Sequence, residues 1–163
     1  MAVVVVAATA CGTERHVDRL RVVGTSMTLD GRPWWPVGLN AYQLGTDWRI
    51  NAGCGSQADL DAYFGSLPPN TLTRFNAYSS LVVDKNTGHL DFAPLDAVFA
   101  AAARHDQLLD AVLTNSEGFC EKGGFKGNDW FRGRWRTDVL PGEPMSYADW
   151  IDTAVTRWRD SPA

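Results

Sequence analysis

The 163-residue sequence predicts an α/β fold in which parallel strands alternate with helices behind an N-terminal β-hairpin. Three observations carry this prediction. Apolar, strand-like runs begin near Trp35, Thr71 and Leu108, a repeat of about 36 residues that suits one strand–loop–helix unit. Amphipathic helical periodicity fills the second part of each repeat. The connections after strands are long, glycine-rich and polar, whereas those after helices are as short as residues 68–70 and 106–107. In a barrel of such units the strand-to-helix loops carry the site and the helix-to-strand loops only turn the chain. The expected architecture is an incomplete (β/α)8 TIM barrel of about three βα units.

The elements follow in order. Val22 and Val23, then Met27 and Leu29, are short strand signals, and Asp30-Gly31 is a hairpin turn. Residues 34–39 read as one buried strand, with Pro36 marking imperfect pairing or an edge. A loop over residues 41–55 precedes a helix over 56–67. There Ser56 and Asp59 stand at capping-box spacing, and Leu60, Tyr63, Phe64 and Leu67 form the apolar stripe. Pro68, Pro69 and Asn70 break the chain before a strand at 71–75. Asn86-Thr87-Gly88 suits a small hairpin. Pro94 opens a helix through LDAVFAAAARH, and Asp106 ends it. LLDAVLT, residues 108–114, is the third strand. After a long loop over 115–145, Ser146 and Asp149 open a last helix with Trp150, Ile151, Ala154, Val155 and Trp158 on its apolar face, and Pro162 closes it. A full barrel needs about 250 residues. A fourth strand is therefore expected after Pro162, and three units alone would leave open sheet edges.

Composition narrows the function. With 45% apolar and 21% charged residues the chain is globular in character. A net charge of −4 and a pI near 5.2 argue against nucleic acid or an anionic membrane surface as partner. Seven tryptophans, several in glycine-rich polar stretches, suggest exposed flat apolar surfaces of the kind on which sugar rings and other partners stack. Residues 3–11, VVVVAATAC, resemble the end of a bacterial lipoprotein export signal, with cleavage before Cys11 and Cys11 lipidated. The other reading is a buried strand. The expected organisation is a signal and tether over residues 1–20 and the fold proper over 21–163. Cys54 and Cys120 then remain as a disulfide candidate, each in a strand-to-helix loop on one face.

Candidate site residues come from the strand ends. Asn40 and Tyr42 follow the first strand, Arg74 and Asn76 end the second, and Asn115 and Glu117 follow the third. Parallel strands would bring them to one rim. A buried Arg flanked by amides suits hydroxyls or a carboxylate, and the alternative for Arg74 is a structural salt bridge to a neighbouring strand. The loops add Trp48, Tyr78, Phe119, Trp130, Phe131 and Trp135, each a loop anchor taken singly and a stacking cleft taken as a group. His16, His89 and His105 lack metal-site spacing, and no GxGxxG follows a strand, so no metal and no cofactor is expected. Glu117 and Glu121, four apart on a glycine-rich loop, have nothing to fix their separation as a catalytic pair.

The stretches LDGRPWWPVGLNAY, LPPNTLTRFNAY, LDFAPLDAVFAAAARHDQLLDAVLTN and SYADWIDTAVTRWRDSPA, in this order and spacing, resemble the N-terminal half of the retaining glycoside hydrolases of the cellulase and β-mannanase group, family 5 and its clan. The resemblance runs from about residue 22 to 163. It implies a (β/α)8 barrel whose two catalytic glutamates stand about 5 Å apart. The acid/base follows the fourth strand in an Asn/Ser-Glu-Pro context and the nucleophile follows the seventh, so both would lie beyond Ala163. By the same resemblance Arg74 matches the arginine that keeps the nucleophile carboxylate charged, and Asn40 and Tyr42 match rim positions. Trp130 and Trp135 fall in a cleft-lining loop. Asn76 departs from the pattern, where relatives tend to carry an aromatic ring. The implied protein is the N-terminal part of an extracellular or cell-surface endo-β-1,4-glycanase acting on mannan or cellulose. It would be inactive alone, bound to membrane only through a lipid anchor, and prone to self-association at open sheet edges. The alternative is a non-catalytic, carbohydrate-binding surface lipoprotein.

Overall fold

A computed structural model describes residues 19–52, 54, 57–116 and 125–163. The N-terminal sheet is an antiparallel meander of β1 (Leu20–Val23), β2 (Ser26–Leu29) and β3 (Arg32–Trp34). Asp30 and Gly31 turn the chain from β2 to β3 with φ of 50° and 77°. Two consecutive positive φ angles match the right-handed twist of the strands they join, which is why Asp-Gly serves here.

The second sheet is parallel, in the order β4 (Gly38–Asn40), β5 (Leu72–Asn76), β6 (Leu108–Val112). Residues 34–39, expected as one strand, are thus split between two sheets. Pro36 carries no N–H for a ladder, and the chain leaves one sheet before it and joins the other after it. Trp34 pairs back onto Met27, whereas Gly38 pairs onto Leu72. A Cβ at Gly38 would run into the Leu72 carbonyl group, so this close strand approach requires glycine.

The helices are α1 (Trp48–Asn51), α2 (Leu60–Gly65), α3 (Ala93–Arg104), α4 (Asn128–Arg132) and α5 (Tyr147–Trp158). α2 begins later than the expected 56–67 helix because Asp59 is its N-cap, accepting from the Ala62 N–H at 2.9 Å. Ser56 lies outside the described residues. Ser146 caps α5 as its spacing predicts, accepting from the Asp149 N–H at 3.2 Å and donating to the Asp149 carboxylate at 2.7 Å. α5 ends at Trp158, short of Pro162. The turn at Asp84–His89 closes with a Val83–Leu90 bridge, so the small hairpin expected there is a single antiparallel pair.

One face of the parallel sheet packs on helices. Thr73 and Phe75 point to it: the Tyr63 hydroxyl of α2 lies 3.3 Å from Thr73 Oγ1, and the Phe75 ring meets Phe99 of α3 edge-on at 5.8 Å. Phe64, Leu95, Val98, Ala101, Ala102, Trp150 and Ala154 complete the core there. Along β5 side chains alternate, so Leu72, Arg74 and Asn76 take the opposite face. That alternation places the candidate site.

At the outer edge of the core the Asp96 carboxylate of α3 accepts from Arg157 Nε at 2.7 Å, from a second guanidinium N–H, and from Trp158 Nε1 at 2.9 Å. The Arg157 guanidinium, and then the indole N–H, hold Asp96 below the usual carboxylate range. A lowered folded-state pKa gives stability that is present above the unfolded pKa and lost as pH falls through the folded one, here below about pH 4. Asp96→Asn is expected to flatten the acid limb of a thermal-stability profile, and an unchanged limb would contradict it.

Candidate active face and its aromatic rim

The register of the parallel sheet lines up Asn40, Arg74 and Asp110 in one row across three strands. Arg74 Nη1 donates to Asn40 Oδ1 at 3.3 Å, and Arg74 Nε stands 3.9 Å from Asp110 Oδ2. Arg74 was expected to be buried, and here the structure differs: its side chain is 48% exposed and that of Asp110 is 55% exposed. The physical reason is that the row lies on the sheet face opposite the helices. A pair this long and this wet adds little stability, so most of the guanidinium's hydrogen-bonding capacity faces solvent. Asp110 was not picked out from sequence. The available signal was one acidic residue inside the apolar run LLDAVLT.

Asn76 ends β5 and is buried. The turn after β4 packs under it, where Gly45 comes so close to the Asn76 carbonyl that a Cβ would collide. Tyr42, in that same turn, is partly exposed and its hydroxyl accepts from Gln43 Nε2 at 3.0 Å. Asn115, three residues past β6, is half-buried, and its Oδ1 has no hydrogen-bond partner among the described residues. Asn40, Tyr42, Asn76 and Asn115 therefore sit at or beyond the C-terminal ends of the parallel strands, whereas Arg74, expected at a strand end, is in the middle of β5, where it hydrogen-bonds Asn40.

The aromatic loop residues divide. Trp130 is 7% exposed, with Phe131 edge-on at 5.0 Å, Tyr147 at 5.7 Å and the Lys126 ammonium 5.4 Å from its ring centre. It anchors the loop instead of offering an open stacking face. Trp135 is half-buried against Tyr147, and the Arg136 guanidinium lies 4.2 Å from its ring centre. Tyr78 is buried, whereas Trp48 and Phe131 are exposed. Phe119, Glu117, Glu121, His16, Cys11 and Cys120 lie outside the described residues. Cys54 is disulfide-bonded, and both other cysteines, Cys11 and Cys120, are among those outside. Among the described residues no three His, Cys, Asp or Glu side chains gather as a metal site would need, and no helix is long and apolar enough to cross a membrane.

One feature of the rim had no sequence signal. Glu143, between Gly142 and Pro144 in the loop before α5, is buried against Lys126, with Nζ to Oε1 at 3.7 Å and both side chains nearly inaccessible. Ser79, just past β5, donates to the other carboxylate oxygen at 2.6 Å. The Lys126 backbone N–H also bonds the Ser116 carbonyl at 2.9 Å. These contacts tie the loop between β6 and α5 to the ends of both β5 and β6. The chain matches no family model and no curated protein.

Proposed function

We propose that residues 21–163 are the N-terminal βα units of an exported, retaining glycoside hydrolase acting on β-1,4-glycans of the mannan or cellulose type. The observation that carries this reading is the Asn40–Arg74–Asp110 row, which crosses three consecutive parallel strands on the face turned away from the helices, with Asn40 at the C-terminal end of β4. In a barrel of such units that end of the strands is where chemistry is done. Arg74 would hold the nucleophile carboxylate ionised by charge and by paired N–H donation. Asn40 fixes the guanidinium plane from one side. Both catalytic glutamates would come from later strands, so the purified 163-residue chain is expected to turn over neither mannan nor cellulose. Measurable release of reducing ends by this chain would contradict the reading. Residues 1–20 serve as signal and tether with lipid on Cys11 in this account, and Cys54 pairs with Cys120. A non-reducing peptide map joining the Cys54 and Cys120 peptides is the expected result, and a Cys11–Cys54 link the contrary one.

A second reading, a non-catalytic carbohydrate-binding surface lipoprotein, is favoured by one observation: the loop between β6 and α5 shapes a cleft of its own. Against it stands the alternation of parallel strands and helices, since self-contained binding modules are commonly β-sandwiches.

A further inference from the structure

The N-terminal meander brings together the last residues of β1, the first of β2 and the last of β3 at one of its ends. The register puts Val22, Met27 and Trp34 in one row across the sheet, with their side chains on one face. Val22 is 71% and Val23 63% exposed, and Trp34 is partly open. A cleft lined by Met27, Pro33, Trp34 and Trp35 opens at the same end. A single exposed valine needs no account, but an apolar row ending in two open valines beside an indole marks a contact surface. The other end of the meander is fixed to the body. Arg19, just before β1, donates to Asn70 Oδ1 at 2.8 Å and to the Pro162 carbonyl at 2.9 Å. Asn70 precedes β5, and β4 begins four residues after Trp34. The meander therefore lies at the N-terminal end of the parallel strands, opposite the candidate rim.

Charge and chain length decide what covers this end. Residues 19–37 hold three arginines and one aspartate, in a chain of net charge −4. Asp30 stands 3.5 Å from Arg19 Nε, and Arg21 and Arg32 are exposed. A second copy would bring like charge to like charge, whereas anionic lipid headgroups attract arginines near a membrane surface. β1 begins nine residues after Cys11, a reach of at most about 30 Å. An acyl chain on Cys11 therefore keeps this sheet within touch of a bilayer, yet leaves the body free to tumble. An apolar end with an indole and flanking arginines suits the membrane–water interface. There tryptophan rings sit at headgroup depth and guanidinium groups reach the phosphates. We infer that the end of the meander at Val22, Val23 and Trp34 docks on an anionic lipid surface and turns the C-terminal rim of the parallel strands toward the medium. The inference rests on the lipoprotein reading of Cys11 and adds the orientation that a lipid anchor alone does not set.

The test uses the full chain bearing Cys11→Ser, so that no acyl chain is attached. It is sedimented with vesicles of about 30% phosphatidylglycerol in phosphatidylcholine, and with phosphatidylcholine alone. Partition onto the anionic vesicles is expected, about tenfold weaker on phosphatidylcholine alone and weakened by salt. Val22→Ser together with Val23→Ser is expected to weaken it about tenfold. Both side chains are open, so the denaturant midpoint of this double variant should not move. Arg32→Glu is expected to weaken binding to the anionic vesicles and to leave phosphatidylcholine unaffected. Absence of partition, or partition that the double variant leaves unchanged, would overturn the inference. Self-association without vesicles that the double variant abolishes would overturn it too, and would assign the surface to a second copy. The lipoprotein reading is decided apart from this, by the mass of the native protein. A lipid on Cys11 with vesicle binding indifferent to Val22 and Val23 would sink the inference alone. A free Cys11 with valine-dependent binding would sink the reading alone.

Discussion

Replacing Trp150 with Ala is expected to destabilise the fold by about 3–5 kcal/mol, the usual cost of removing a large buried aromatic side chain. Trp150 is fully buried where α5 meets the sheet. Its ring stacks on Phe92 at 6.4 Å and meets Trp158 edge-on at 6.0 Å, and its Nε1 donates to the Ala77 carbonyl at 3.0 Å just past β5. One residue thus joins the last helix, the third helix and the end of the central strand. The loss is a large part of the roughly 5–15 kcal/mol that holds a domain together. Trp150→Phe, which keeps an aromatic ring but leaves the Ala77 carbonyl unpaired, should cost less, about 1–3 kcal/mol. Denaturant midpoints measure both, and a Trp150→Ala loss below that of Trp150→Phe would contradict this packing.

Glu143→Ala is the second large effect. It removes the Glu143 carboxylate from beside the Lys126 ammonium, whose side chain has no accessible surface, and with it the acceptor of the Ser79 hydroxyl. Breaking a buried pair from one side costs about 3–5 kcal/mol. The double replacement Lys126→Met with Glu143→Leu should recover most of that loss, because an apolar pair of similar volume needs no solvation. The same denaturant measurement decides. A double variant no more stable than Glu143→Ala alone would show that Ser79 and the loop backbone, not the ion pair, hold the rim.

Much of the scaffold was legible because local rules and tertiary packing agree there. The Asp30-Gly31 turn, the Ser146 cap and the strand beginning at Leu108 each follow from a few residues whose chemistry favours one conformation, and the apolar face of α5 holds at Trp150 and Ala154, whereas Val155, expected on it, is exposed. The segment 34–39 divides because apolar content alone does not say which sheet a strand joins; the break falls at Pro36, which has no N–H to donate to a ladder. In the site, the spacing puts Arg74 and Asn40 at strand ends; Asn40 does end β4, Arg74 lies in the middle of β5, and the register makes them neighbours. Its third member, Asp110, emerges only from that register. Trp130 was read with the open rim, whereas the chain buries it, since whether a loop ring faces inward depends on what the loop folds onto. Lys126 and Glu143 stand in separate glycine- and proline-containing stretches of one loop, so no periodicity marks them.

The exposed apolar surface bears on association. Trp35 is 84% exposed, and Val37 and Leu39 beside it are also open, next to the outer side of β4, which pairs with no other strand among the described residues. An open strand with apolar flanks is a template for pairing. In the proposed account this surface is where later units of a barrel, or a second copy, would pack.

The most direct test of the glycosidase account is to read the coding sequence that follows the Ala163 codon and to weigh the native protein. The account predicts an apolar strand ending in Asn/Ser-Glu-Pro, in frame or after a single frameshift, followed by further units that carry a second glutamate. A stop followed by unrelated sequence, with a native mass equal to the 163-residue chain, would contradict it and move the case to carbohydrate binding without catalysis.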